Sequence, residues 1–337
     1  MAISTSAAPR RSEATDLLSI VAKKLSPTPS NVAVLAWSAS RTEGDLMTRS
    51  LVTGASTGIG FATALRLATE GHEVHASVRS LDSGQALLDA SKDLDLALVV
   101  MDVDDDDSVS AALGGLQADR GPIDVLINNT GIADGHSIEE TSVAEFQRVM
   151  NTNTWGTLRC IHAVLPLMRE REAGHIVNVT SLAGRVAIAG HGAYAASKFA
   201  AEALTEILAA ETKPFGIRVT AIEPGVIVTP IFEKGMQDPE NPDTPYVGGR
   251  RLGEFFASAL MGTPGTPDMV AEEIWQAITA DAPELRHLVG DDAIRMAGRR
   301  LELTDEEWIA GQSDSDDDGY RAWVSDMSGI QVNPLPS

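Results

Sequence analysis

The chain has 337 residues, 26 Lys plus Arg against 48 Asp plus Glu, and a hydrophobic fraction of 43%, enough to build a core and to exclude global disorder. Its net charge of −22 argues against nucleic acid and against an anionic membrane surface, since both are bound through Lys and Arg. The single Cys160 cannot form an intrachain disulfide, so a reducing, cytoplasmic setting is expected.

Residues 1–46 are rich in Ser, Ala and Thr, carry Pro9, Pro27 and Pro29, and show no sustained periodicity, so they read as a flexible N-terminal extension. The apolar run at 32–37 is too short to span a membrane. Met47 directly precedes the first strand and is an alternative start. From residue 48, short apolar runs alternate with amphipathic stretches of helical length. The runs at 50–53, 74–78, 96–100, 125–128, 176–180, 219–222 and 285–289 read as strands, and 59–69, 143–169 and 193–211 as helices. Parallel strands need covering crossovers, so this alternation predicts an α/β fold with a doubly wound parallel sheet of about seven strands, in one domain over 47–290.

Within that domain, 230–267 turns Gly- and Pro-rich, with Ile231, Phe232, Tyr246, Phe255, Phe256 and Met261 inserted. Two readings stand: a mobile lid over an apolar substrate, or a simple cover for the sheet. Residues 291–337 read as an acidic C-terminal tail, its acidic run at 313–318 a solvated loop between Trp308 and Trp323.

The turn Thr53-Gly54-Ala55-Ser56-Thr57-Gly58-Ile59-Gly60 follows the first strand and opens the first helix. Glycines permit a tight turn and close approach to a pyrophosphate, while the helix start offers unpaired N–H groups and a positive dipole end. At the end of the second strand a dinucleotide site for NAD places a carboxylate to hold the ribose hydroxyls. Here Val78 and Arg79 stand there, with no carboxylate before Asp82. Arg79 suits a 2′-phosphate, so NADP(H) is favoured over NAD(H).

Further along come Met101-Asp102-Val103, Asn128-Asn129-Thr130-Gly131, Asn153, Ser181, Tyr194-x-x-x-Lys198, and Pro224-Gly225 followed by Thr229. In this order and spacing the chain resembles the short-chain dehydrogenase/reductase family, a Rossmann-like fold, and within it the hydroxysteroid and retinol dehydrogenase-like members. Thr130 departs from the family, which usually has Ala there.

The chemistry of Tyr194 and Lys198 follows from spacing as well: four apart on a helix, they share a face. A free tyrosine ionises near pH 10. An ammonium about 4 Å from the phenolate contributes roughly 4 kcal/mol at an effective dielectric near 20, enough to bring the phenol toward neutrality as an acid/base for alcohol and carbonyl.

The resemblance assigns the other roles. Ser181 holds the substrate oxygen, Asn153 fixes a water linking Lys198 to solvent, Lys198 also holds the nicotinamide ribose, Thr229 binds the carboxamide, and Asp102 meets the adenine edge. It adds Asn129, Pro224 and Tyr194 to a cofactor set comprising Gly54, Ser56, Thr57, Gly58, Ile59, Gly60 and Arg79.

It also implies a homo-oligomer built on the helices of Asn153 and Tyr194, and a hydrophobic alcohol or carbonyl as substrate. The seven histidines show no ligand spacing, so no metal is expected. His191 reads equally as a substrate contact or a surface residue, and Cys160 as core. A silent NADP-binding sensor or assembly protein is the rival, against which the complete Asn153, Ser181, Tyr194 and Lys198 set speaks. Dehydration or epimerisation through transient oxidation is a third reading.

Overall fold

The computed structural model describes residues 48–232, 243–313 and 316–335. The expectations for 1–46, and the part of the lid at 233–242, lie outside the described residues. Seven strands, β1 (Arg49–Val52), β2 (Glu73–Val78), β3 (Leu96–Val100), β4 (Val125–Asn128), β5 (Gly174–Val179), β6 (Ile217–Pro224) and β7 (Arg286–Val289), form one sheet in the order β3-β2-β1-β4-β5-β6-β7. Every pairing is parallel.

Neighbouring residues of a strand point to opposite faces, and the apolar runs feed two cores. Val52, Leu98, Ile127 and Val177 face α1 (Gly58–Thr69), α2 (Gln85–Ala90) and, from late in the chain, Pro267–Thr279. Their neighbours Leu51, Val99, Leu126 and Ile176 face α3 (Asp106–Arg120), α5 (Gly156–Glu170) and α6 (Gly192–Thr212), with Cys160 fully buried among them. Burial on both sides explains why these strands are continuous apolar runs rather than alternating ones.

The single helix expected over 143–169 is interrupted. Val143–Met150 (α4) passes through one π-helical turn, Asn151–Trp155, before α5 begins. Such a turn carries an extra residue and is frequent at functional sites.

The C-terminal segment is not a tail. After α7 (Gly248–Met261) and α8 (Pro267–Thr279), residues beyond β7 fold into α9 (Asp291–Glu302), α10 (Asp305–Ser313) and α11 (Asp317–Ser328). Met296, Trp308, Tyr320, Val324 and Met327 bury against Leu252 and Phe255 of α7 in a third core. The acidic run is exposed at Asp316 and Asp318, as expected, yet its carboxylates also find partners. Asp316 caps α11 through the Gly319 amide (2.9 Å), Asp317 pairs with Arg250 (2.8 Å) and Arg251 (3.0 Å), and Asp318 pairs with Arg321. Carboxylates at a helix start are favoured by the unpaired amides and the dipole. Among the described residues no helix is long and apolar enough to cross a membrane.

Candidate active site

In a doubly wound sheet the crevice opens at the C-terminal strand ends where the order reverses, here between β1 and β4. The glycine turn leaves β1 at that point. Gly54 has φ +66°, a left-handed value that an L side chain rarely adopts. A Cβ on Gly60 would stand 2.5 Å from both Asn129 Nδ2 and Gly54 O, so only glycine lets the turn close. Asn129 fastens it by donating from Nδ2 to the carbonyls of Thr53 (2.9 Å) and Gly54 (3.3 Å). Thr53 Oγ1 accepts in return from the amides of Asn129 (2.9 Å) and Thr130 (3.1 Å). The Thr130 hydroxyl that replaces the family's alanine is buried without a hydrogen-bond partner.

Ser56 and Thr57 carry the turn into α1. Thr57 is its N-cap without a side-chain cap, so the amides at Gly58, Ile59 and Gly60 are free to meet an anion. Thr229 closes the other side, its methyl in contact range of Gly58. The Ala55 amide donates to Ser77 O (2.9 Å), tying the turn to the end of β2. Arg79, just beyond, is exposed and makes no hydrogen bond or ion pair with the described residues. Asp102, past β3, is exposed and accepts from the Asp104 amide (3.1 Å).

Asn153 sits in the π-helical turn and is 2% exposed. Both ends of its amide group are engaged: Oδ1 accepts from Ile132 N (2.8 Å), and Nδ2 donates to Ile132 O (2.9 Å) and Ser197 Oγ (2.9 Å). Lys198, also buried, donates from Nζ to Val179 O (3.0 Å). Gly131 lies between the two, where a Cβ would be 3.5 Å from Asn153 Oδ1 and 3.6 Å from Lys198 Nζ.

Ser181, at the end of β5, and Tyr194, in the first turn of α6, share the wall of a cavity of about 370 Å³. Pro224 belongs to the same wall, and Ile231, Phe232, Phe255 and Phe256 make its apolar side, whereas Tyr246 and Met261 are exposed. Met296 and Leu335 also line it, so the C-terminal helical region completes the cavity.

The expected electrostatics need correction. Lys198 Nζ lies 5.6 Å from the Tyr194 ring centroid and is turned to a carbonyl. Burial raises the Tyr194 phenol above its ordinary value; Ser181 opposes this and the Asp134 charge adds to it. Desolvation is the largest influence on the phenol in this arrangement. Burial also lowers Lys198 to about 8, with Glu202 opposing, so it remains mostly an ammonium at neutral pH.

His191 is buried rather than at the surface. Its ring packs edge-on against Tyr194 (4.4 Å between centroids), both nitrogens lack partners, and burial lowers it to about 4. Two buried acidic features near the site carry no sequence motif. One is Asp134, 5% exposed and bonded to the start of α6. The other is a pair of buried carboxyls, Glu202, one helical turn beyond Lys198 on α6, and Glu223 on β6. A helix beginning without a local cap after His191 is the one signal that a distant acceptor was needed.

The comparisons agree with this geometry. The profile of the short chain dehydrogenase family matches residues 49–240. Retinol dehydrogenase 8 of Bos taurus is 34% identical over 249 residues, covering 70% of this chain and 79% of that protein. The crystal structure of a short-chain dehydrogenase from Streptomyces avermitilis superposes with a TM-score of 0.69 at 32% identity, covering 79% of this chain and 98% of the other. A serine dehydrogenase complexed with NADP+ does so at 0.62 and 29%, covering 71% and 93%. With the glycine turn, the strand order and the Tyr194 cavity in place, the chain belongs to the short-chain dehydrogenase family, oxidoreductases that use a nicotinamide cofactor on small molecules.

Proposed function

We propose that the protein interconverts an alcohol and its carbonyl with NADP(H), on a hydrophobic substrate, with Tyr194 as proton donor and acceptor. The observation that carries this reading is the pair of hydroxyl residues, Ser181 and Tyr194, on the wall of one largely apolar cavity, with Lys198 and Asn153 close to each other at Gly131.

The residues present fit the cofactor. The free amides of Gly58, Ile59 and Gly60 suit its pyrophosphate, and Arg79, with no protein partner among the described residues, suits a 2′-phosphate. Asp102 is assigned to the adenine edge, Asn129 and Pro224 to shaping the turn and the nicotinamide side, and Thr229 to the carboxamide. Bound there, NADP(H) supplies the hydride chemistry.

Ser181 Oγ holds the substrate oxygen, and Tyr194 Oη gives it a proton in reduction or takes one in oxidation. Lys198 supplies a buried positive charge that favours the phenolate as it forms, and holds the ribose. Asn153 locks the α4–α5 junction to Ile132 and to Ser197 of α6, so that Lys198 and Tyr194 keep their places. Retinol as the substrate class of the bovine relative supports an apolar substrate, as do Phe232, Phe255 and Phe256 in the wall. Exposed Trp155 and Phe199, beside Asn153 and Lys198 in sequence, support a homo-oligomer through those helices; a cytoplasmic location is part of the same reading.

The test is a panel of apolar ketones, aldehydes and alcohols assayed with NADPH, NADH and their oxidised forms, following the absorbance of the reduced nicotinamide. Turnover with NADPH and an apolar carbonyl is expected. No turnover in either direction with either cofactor, in a folded protein, would refute the proposal.

A further inference from the structure

We propose that Asp134 is a positioning residue for Tyr194: it fixes the first turn of α6 and places a buried carboxylate in the cavity that also holds the phenol, suiting the site to carbonyl reduction. This rests on the reading of Tyr194 as the acid/base.

The first amides of a helix have no intrahelical acceptor and need one from elsewhere. In α6 the N-cap position is His191, whose side chain makes no capping bond. Asp134, from the loop after β4, takes that place across sixty residues of sequence. Its Oδ1 accepts from the Tyr194 amide (2.8 Å) and its Oδ2 from the Ala193 amide (3.3 Å). The acceptor thus holds the main chain of the very residue that handles the proton. A carboxylate is also the right charge for a helix start.

Asp134 is nearly fully buried and lines the same cavity as Ser181 and Tyr194, so water screens its charge poorly. The charged and titratable groups around the pair are few. His136 and Arg148 act on Asp134. Tyr194 is faced by Ser181, by His191 and by Lys198. The imidazole of His191 is neutral at pH 7 and adds no charge. Near the phenol, the Asp134 carboxylate is therefore set against the ammonium of Lys198. Reduction of a carbonyl needs the protonated phenol, and oxidation of an alcohol the ionised one. A like charge nearby extends to higher pH the range in which the proton is retained.

The test uses the protein labelled with ¹³Cζ-tyrosine. There are three tyrosines, Tyr194, Tyr246 and Tyr320, so Tyr194→Phe assigns the resonance. Asp134→Asn retains an acceptor for the helix start and removes the charge; Asp134→Ser does the same should the first variant not fold. Each is titrated, with and without NADP+, over the alkaline range in which circular dichroism shows a folded protein. In the variant, Tyr194 is expected to ionise at lower pH than in the parent. If it ionises no earlier, the inference is overturned. If it ionises earlier while the pH dependence of kcat/KM stays where it was, the acid/base reading of Tyr194 fails and the electrostatic role of Asp134 stands.

Discussion

Replacing His175 by Gln should flatten the acid side of the stability profile. His175 lies on β5, 1% exposed, with Nε2 bonded to Thr220 Oγ1 (2.9 Å) and Nδ1 without a partner. Burial, with Arg218 and His287 adding to it, pulls the imidazole from its ordinary 6.5 down to about 3. The folded value lies below the unfolded one. As pH falls through 6.5 the unfolded chain takes up a proton that the folded protein refuses until about pH 3, so stability is lost across that window. pH 5 lies 1.5 units below the unfolded imidazole's 6.5, and the loss there is about 2 kcal/mol. Urea unfolding at pH 7 and pH 5, followed by circular dichroism, measures it. Gln can still hydrogen-bond toward Thr220 and does not titrate. The variant should be somewhat less stable than the parent at pH 7, yet should lose about 2 kcal/mol less between the two pH values. Equal losses in parent and variant would refute the reasoning.

Two further outcomes follow from the same kind of argument. Glu223, fully buried at the end of β6, is pushed well above the usual carboxylate range by burial and by Glu202, against the pull of Arg185 and Arg286. The folded protein then keeps a proton that the unfolded chain gives up, so stability falls as pH rises from the unfolded carboxyl value toward the raised one. Glu223→Gln should lose less stability than the parent between pH 5 and pH 8 in the same urea assay; an equal loss would show that Glu223 does not retain the proton in the folded protein. Arg79→Asp should weaken NADP+ binding about tenfold or more in calorimetry, the scale of a charge-assisted bond, and weaken NAD+ much less. An unchanged preference would remove Arg79 from the cofactor site.

The sheet was legible in the sequence because strands buried on both faces leave uninterrupted apolar runs, as at Leu126–Ile127 and Ile176–Val177. The glycine turn and the Tyr194–Lys198 spacing were legible because each is local. What composition hid was tertiary. The acidic run near Asp317 looked solvated because its partners, Arg250 and Arg251, lie more than sixty residues away. Trp308 and Tyr320 belong to helices whose apolar face is only apparent once α7 is there to cover it. Spacing put Lys198 and Tyr194 on one face of α6 but could not weigh burial, which raises the phenol and turns the ammonium to Val179 O. Asp134 had no motif at all, since its partners are backbone amides.

The central claim, that Tyr194 handles the substrate proton, is tested most directly by Tyr194→Phe, assayed for NADPH-dependent reduction of whichever apolar carbonyl the panel yields. The account predicts a fall in kcat/KM of about 100-fold or more, the usual worth of a positioned acid, with NADPH binding and thermal unfolding close to those of the parent. Activity near the parent's, in a variant that binds NADPH equally well, would contradict it.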